Sequence, residues 1–184
     1  MNNKQKNSDE DVTPIYAYAY FNVARNGEIH QLLQYDYYDP DEFYANLCHE
    51  ENQKDFNDEI EKLWNNMENF LGEEKNYINN KKVVPKVVHV DIGHRGSQNL
   101  PYITWLIDFK GEFKTDRNSK NIYRTWTPKE KLEYDCHCIW HFPEGTKIKI
   151  KTSMSFEIIN NLIILWARKS DFIGGDEEFT FILI

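Results

Sequence analysis

The sequence predicts an α+β fold: an N-terminal β-hairpin, one or two acidic amphipathic helices, then a large antiparallel meander sheet, open or closed into a barrel or sandwich. Three observations predict it. Two aromatic and β-branched runs, 15–24 and 28–37, flank Arg25, Asn26 and Gly27. Apolar residues between Phe43 and Leu71 recur at spacings of three and four. Beyond Gly72 the texture changes to short β-rich runs punctuated by turn residues. With 184 residues, 40% of them hydrophobic, the chain is long enough to bury a core without disulfide or metal staples.

Residues 1–13 are polar, charged and aperiodic, so they are expected to form a disordered tail, with 14–184 as one domain. Asn26-Gly27 suits a type I′ turn, which pairs the first two runs as a hairpin. Strand alternation then puts Tyr16, Tyr18 and Tyr20 on one face, with Tyr35 and Tyr37 opposite them. Asp39-Pro40-Asp41-Glu42 has the composition of a helix start, Asp39 as the cap and Pro40 in the first turn. Phe56, Ile60, Leu63, Trp64, Met67, Phe70 and Leu71 form one apolar stripe, and Gly72 suits a C-terminal stop.

The remaining strand candidates are 83–92, 102–110, 122–126, 132–142, 146–151, 153–159, 162–168 and 178–184. Pro143-Glu144-Gly145, Asn160-Asn161 and Gly174-Gly175 are short enough to join antiparallel neighbours, so the last five runs read as a meander.

Charge divides the chain unevenly. Residues 1–80 hold 6 basic and 17 acidic side chains, whereas 81–184 hold 16 and 13, within a net charge of −8. No apolar run approaches the roughly 18 residues of a membrane span, and the N-terminus has no apolar signal core. Cys48, Cys136 and Cys138 cannot all pair, and Cys136 and Cys138 stand too close on one strand for a relaxed disulfide. A reducing, cytoplasmic location is the expectation. There is no GxGxxG, Walker loop, GxSxG, HExxH or paired CxxC, which removes most support for dinucleotide, P-loop, α/β-hydrolase and zinc-finger chemistry.

The absence of a catalytic signature and the asymmetric charge favour a non-catalytic, cytosolic interaction protein without a cofactor, an inhibitor or regulator of a basic protein partner. Between Asp36 and Glu74 there are 13 carboxylates against Lys54 and Lys62, and Asp55, Asp58, Glu59 and Glu68 are the candidate contacts. Tyr16, Tyr18 and Tyr20 are a second candidate surface, since tyrosine is enriched at interfaces. Lys147, Lys149 and Lys151 share one strand face, but lysines commonly guard a sheet edge. With no recognised binding motif and an acidic chain, nucleic acid is disfavoured as a partner.

The alternative function is a small metal-dependent hydrolase. His137 and His141 share a strand face with Asp135, and His89 shares one with Asp91. If the two runs meet, His89, Asp91, His137 and His141 offer ligands for zinc. His137 and His141 are roughly 13 Å apart in an extended strand, so one of the two would have to pair across strands. A small-ligand-binding β-barrel is the third function considered.

Overall fold

The computed structural model describes residues 12–116 and 118–183; the expectation of a disordered tail, over residues 1–11, lies outside them. At the tail's predicted end the chain is already ordered: Val12 packs against the core and the first strand begins at Thr13.

Strands β1 (Thr13–Val23) and β2 (Glu28–Tyr38) form the expected hairpin, but not through the expected turn. Gly27 donates to the Ala24 carbonyl at 3.2 Å and Ala24 to the Glu28 carbonyl at 2.8 Å. Gly27 has φ 95°, whereas Asn26 is not among the residues with positive φ. This is a type I turn followed by a glycine bulge, one residue longer than a type I′ loop. A one-residue change of register exchanges the faces of a strand. Tyr18 therefore pairs with Gln34, and Ala17 with Tyr35. Tyr35 and Tyr37 turn inward, away from the tyrosine ladder.

The chain continues through α1 (Phe43–Leu47), a single 3-10 turn at Glu50–Asn52, and α2 (Gln53–Glu73). The first helix starts later than Asp39-Pro40 suggests, with Glu42 in a left-handed conformation at its head. Asp39 still acts as a cap, accepting the Tyr44 amide at 2.9 Å. Gly72 does not stop α2, which runs on to Glu73 and passes at once into β3 (Lys75–Ile78), a strand the sequence did not announce.

The other strands are β4 (Lys81–Val83), β5 (Lys86–His94), β6 (Pro101–Lys110), β7 (Asn121–Lys131), β8 (Asp135–His141), β9 (Lys147–Lys151), β10 (Ser155–Ile159), β11 (Leu162–Ala167) and β12 (Phe172–Ile182). They make two sheets, ordered β10-β11-β8-β1-β2-β6-β5 and β4-β3-β7-β12-β9. The α+β class holds, and the sheets are antiparallel except where β8 runs parallel beside β1.

The last five strands are not a continuous meander. Among them only β10 and β11, joined by Asn160-Asn161, are both consecutive and paired. Pro143-Glu144-Gly145 carries the chain from one sheet to the other. Gly174-Gly175 is a bulge inside β12, because both residues have positive φ and the register with β7 shifts there. A bulge and a turn draw on the same glycine chemistry, so local sequence does not separate them.

One face of the seven-stranded sheet is the inner face. Alternation along β6 buries Ile103, Trp105, Ile107 and Phe109 and along β11 Ile163, Leu165 and Ala167. Helix α2 packs on β5, and the Trp105 indole donates to the Leu63 carbonyl at 3.3 Å. The five-stranded sheet covers the rest, with Trp140 against Phe179 at 4.8 Å and Tyr123 at 5.1 Å between ring centres.

Candidate functional site

Among the described residues no layer covers the outer face of the seven-stranded sheet. Register places Tyr16, Tyr18 and Tyr20 of β1 beside Asp135, His137 and Ile139 of β8. Trp166 and Ile164 of β11 continue the His137 and Ile139 rows on one side, with Leu162 beside His141; Asp36, Gln34 and Leu32 of β2 continue the three tyrosine rows on the other. The ladder is braced from β8: Tyr18 and His137 have ring centres 5.9 Å apart, and the Tyr20 hydroxyl is hydrogen-bonded to His141 Nδ1 at 2.9 Å. His30 faces Asp108 at 2.7 Å, and Arg95 lies over the Tyr102 ring, 5.1 Å from its centre.

This face ends at edge strand β10, which turns Ser155, Glu157 and Ile159 to the outer side and Phe156 and Ile158 to the inner side; at this edge Phe156, Ile158 and Ile159 are 45%, 39% and 42% exposed. The β9 edge of the other sheet carries Lys147, Lys149 and Lys151 instead. Lysines obstruct strand addition at an edge; β10 carries none, and its one charged side chain is Glu157.

The four acidic helix candidates do not share one environment. Asp55 and Asp58 are exposed as expected. Glu59 is 8% exposed, accepting from the Tyr44 hydroxyl at 3.4 Å and pairing with Lys62 at 3.1 Å. Glu68 accepts the Val87 amide at 2.8 Å and ties α2 to β5. Because α2 is flanked by both α1 and β5, residues on the margins of its apolar stripe, Glu59 and Glu68 among them, are drawn into contacts that a single buried stripe does not anticipate.

The metal constellation does not assemble. His89 and Asp91 are exposed on β5, His137 and His141 lie on β8, and three strands separate the two. That is roughly 19 Å, four spacings of ~4.8 Å, too far for one ion. Among the described residues no group of three His, Cys, Asp or Glu is placed to hold a metal ion. Among them, too, no helix is long and apolar enough to cross a membrane.

A site the sequence did not single out lies between the sheets. A cavity of about 180 Å³ is lined by Phe21, Phe109, Tyr123, Trp140 and Phe179, and also by Gln31, Glu74, Thr125, Thr127, Cys138 and Glu177. Its polar floor follows from register. Asn76, Thr125 and Glu177 form one row across β3, β7 and β12, two residues along from the apolar row Ile78, Tyr123 and Phe179.

The Tyr123 hydroxyl donates to Asn76 Oδ1 at 2.6 Å, and Asn76 donates to Glu74 at 3.0 Å. Glu177 accepts the Thr152 hydroxyl at 2.7 Å and the Ser153 amide at 3.2 Å. Burial pushes the Glu74 carboxyl above its usual range, against the Asn76 hydrogen bond that lowers it. Burial also raises the Cys138 thiol strongly, with Glu177 adding to it, so this thiol is held neutral rather than as a nucleophilic thiolate. The available signal was Thr125, Thr127 and Glu177 at inward positions, but assigning those positions required the pairing.

No protein-family model matches the chain, and no curated protein matches it. Among solved structures it is similar to native yeast leukotriene A4 hydrolase, with 5% identity and a TM-score of 0.37, over 95% of this chain and 29% of that one. A second structure of the native Saccharomyces cerevisiae enzyme gives 6% and 0.36, over 94% and 29%. The yeast enzyme bound to bestatin gives 6% and 0.34, over 94% and 29%. The chain thus spans less than a third of the length of these structures. Likeness at this level carries nothing about its chemistry.

Proposed function

We propose that this chain is a non-catalytic, cytoplasmic interaction protein that binds a protein partner through the outer face of its seven-stranded sheet and the adjoining β10 edge. One observation carries this: the surface from the tyrosine ladder to β10 is uncovered and rich in Tyr, His, Ile and Trp, and ends at an edge without guarding lysines. Aromatic side chains on a rigid sheet lose little entropy when a partner covers them, and tyrosine and tryptophan dominate interface hot spots. An open edge adds main-chain hydrogen bonds to an incoming strand.

The partner is expected to be basic. Glu28, Asp36, Asp91, Asp108, Asp135 and Glu157 outnumber Lys86, Arg95 and Lys110 on this face, and exposed Asp55 and Asp58 extend the same sign. Three free cysteines suit a reducing compartment.

The test is cross-linked affinity capture with the wild type, a Tyr18→Ala/Trp166→Ala variant, an Ile158→Lys edge variant and an Asp55→Asn/Asp58→Asn helix variant. Cross-links are expected within 16–20, 137–141 and 155–166, with retention lost in the first two variants and kept in the third. Loss only in the helix variant moves the contact to the acidic helix. If no partner cross-links specifically, the interaction function fails.

A further inference from the structure

We propose that the cavity between the two sheets binds a small organic ammonium ion, an amine carrying a short apolar body. The site is separate from the outer sheet face, and its walls provide for both parts of such a ligand. The rings of Phe21, Phe109, Tyr123, Trp140 and Phe179 line it. Aromatic π-systems attract cations, more so where water is excluded. Glu74 and Glu177 line it as well, and no lysine, arginine or histidine does, so the ionised groups around the space have a single sign. Among the described residues neither half-buried carboxylate has a basic partner, and drawing a carboxylate away from water without a counter-charge is costly. An ammonium group supplies that counter-charge together with the N–H donors the carboxylates accept.

Gln31 narrows the choice further. It is 8% exposed and lines the cavity, and among the described residues its side-chain amide has no hydrogen-bond partner. Its carbonyl and the Thr125 and Thr127 hydroxyls are acceptors for the remaining N–H groups. A wholly apolar occupant would strip these groups of water with no replacement, and an anion would meet two carboxylates. Ordinary sandwich packing does not account for five polar side chains converging in an interior otherwise built of rings and aliphatics. The volume of about 180 Å³ is below the range of roughly 300–1,000 Å³ for drug-sized ligands, which limits the amine to a small one.

The experiment is calorimetric titration of the full chain with isoamylamine, isoamyl alcohol and isovalerate, which share one branched skeleton and differ in charge. The amine is expected to bind about tenfold or more tighter than the alcohol, the margin of one hydrogen bond to a charged group, with no heat from isovalerate. Glu74→Gln should erase the amine's advantage while leaving the alcohol's affinity unchanged. Because Glu74 is bonded to Asn76, a thermal melt accompanies it. Gln31→Leu, which keeps both carboxylates, is the second variant and should weaken the amine several-fold. Equal binding of amine and alcohol, or binding of none of the three, overturns the proposal. So does an amine preference that survives in a folded Glu74→Gln/Glu177→Gln variant, because it would then belong to the acidic surface.

Discussion

The inner face of the large sheet is closed in two ways, and the two halves bury different things. Under α2 the contact is dry. Val90, Ile92, Ile103 and Trp105 are all at most 7% exposed, the helix lays Ile60, Leu63, Trp64 and Met67 against the core, and polar contacts are few: the Trp105 indole to the Leu63 carbonyl, and Glu68 at the margin to the Val87 amide. Under the five-stranded sheet the contact is an aromatic stack of Phe21, Trp140, Phe179 and Tyr123, and those rings share a cavity with polar side chains.

The geometry of the covering layer explains the difference. A helix projects side chains into the grooves of the surface beneath it, whereas packed sheets stand about 10 Å apart and are filled only if the inward residues are long enough. Thr125 and Thr127 are not. A sheet-on-sheet contact can therefore keep a cavity at one end without giving up its core, and the helix-covered half cannot.

Six substitutions break or sharpen this contrast. Trp105→Ala, on the dry side, should cost about 3–5 kcal/mol, read as a lower denaturant midpoint with an unchanged slope. A loss under 1 kcal/mol would mean the helix contact is not the tight one. Gly174→Ala, at the rim of the cavity, should cost about 1–3 kcal/mol, since the residue has φ 92° and an added Cβ would meet the Pro128 carbonyl oxygen at 2.3 Å. A silent Gly174→Ala would remove the bulge as a fixed part of the cavity wall.

Glu59→Ala should cost about 1–2 kcal/mol because it removes a carboxylate hydrogen-bonded to the Tyr44 hydroxyl and paired with Lys62. Asp55→Ala and Asp58→Ala should each stay within about 0.5 kcal/mol of the wild type. Equal effects at all three positions would put Glu59 back among the exposed acids.

The smallest effect has the opposite sign. Burial raises the folded-state pKa of Glu74, so the folded chain holds that proton more tightly than the unfolded chain does. The stability this contributes is fully present below the unfolded value near 4.5 and is lost as pH rises through the folded value. Glu74→Gln, which cannot ionise, should melt slightly higher than the wild type at pH 7, with the gap closing toward pH 4. A variant that melts lower at pH 7 would show that the carboxylate, not its neutral form, is what the cavity is built around.

Much of the fold can be read locally. The Phe56-to-Leu71 stripe marks α2, period-two alternation marks β1, β2, β6 and β11, and Asn160-Asn161 marks its hairpin, because each depends on chemistry within a few residues. The parts that cannot be read share a cause. Whether Gly27 closes a two-residue turn or forms a bulge changes no local propensity, yet it moves the register by one and turns Tyr35 and Tyr37 from the tyrosine face into the core. Gly174-Gly175 is likewise a bulge or a turn according to what lies across from it.

The functional residues divide along the same line. Composition and alternation alone determined that Tyr16, Tyr18 and Tyr20 share a face, that Asp55 and Asp58 are solvent-facing, and that the chain is α+β. Tertiary structure alone decided that His89 and His137 stand three strands apart, that Glu59 is buried, and that Gln31, Glu74, Thr125 and Glu177 converge on one cavity. Periodicity assigns a side chain to one face of its own element. Which faces meet is decided by strand order and register, and those are set by contacts between residues far apart in the chain.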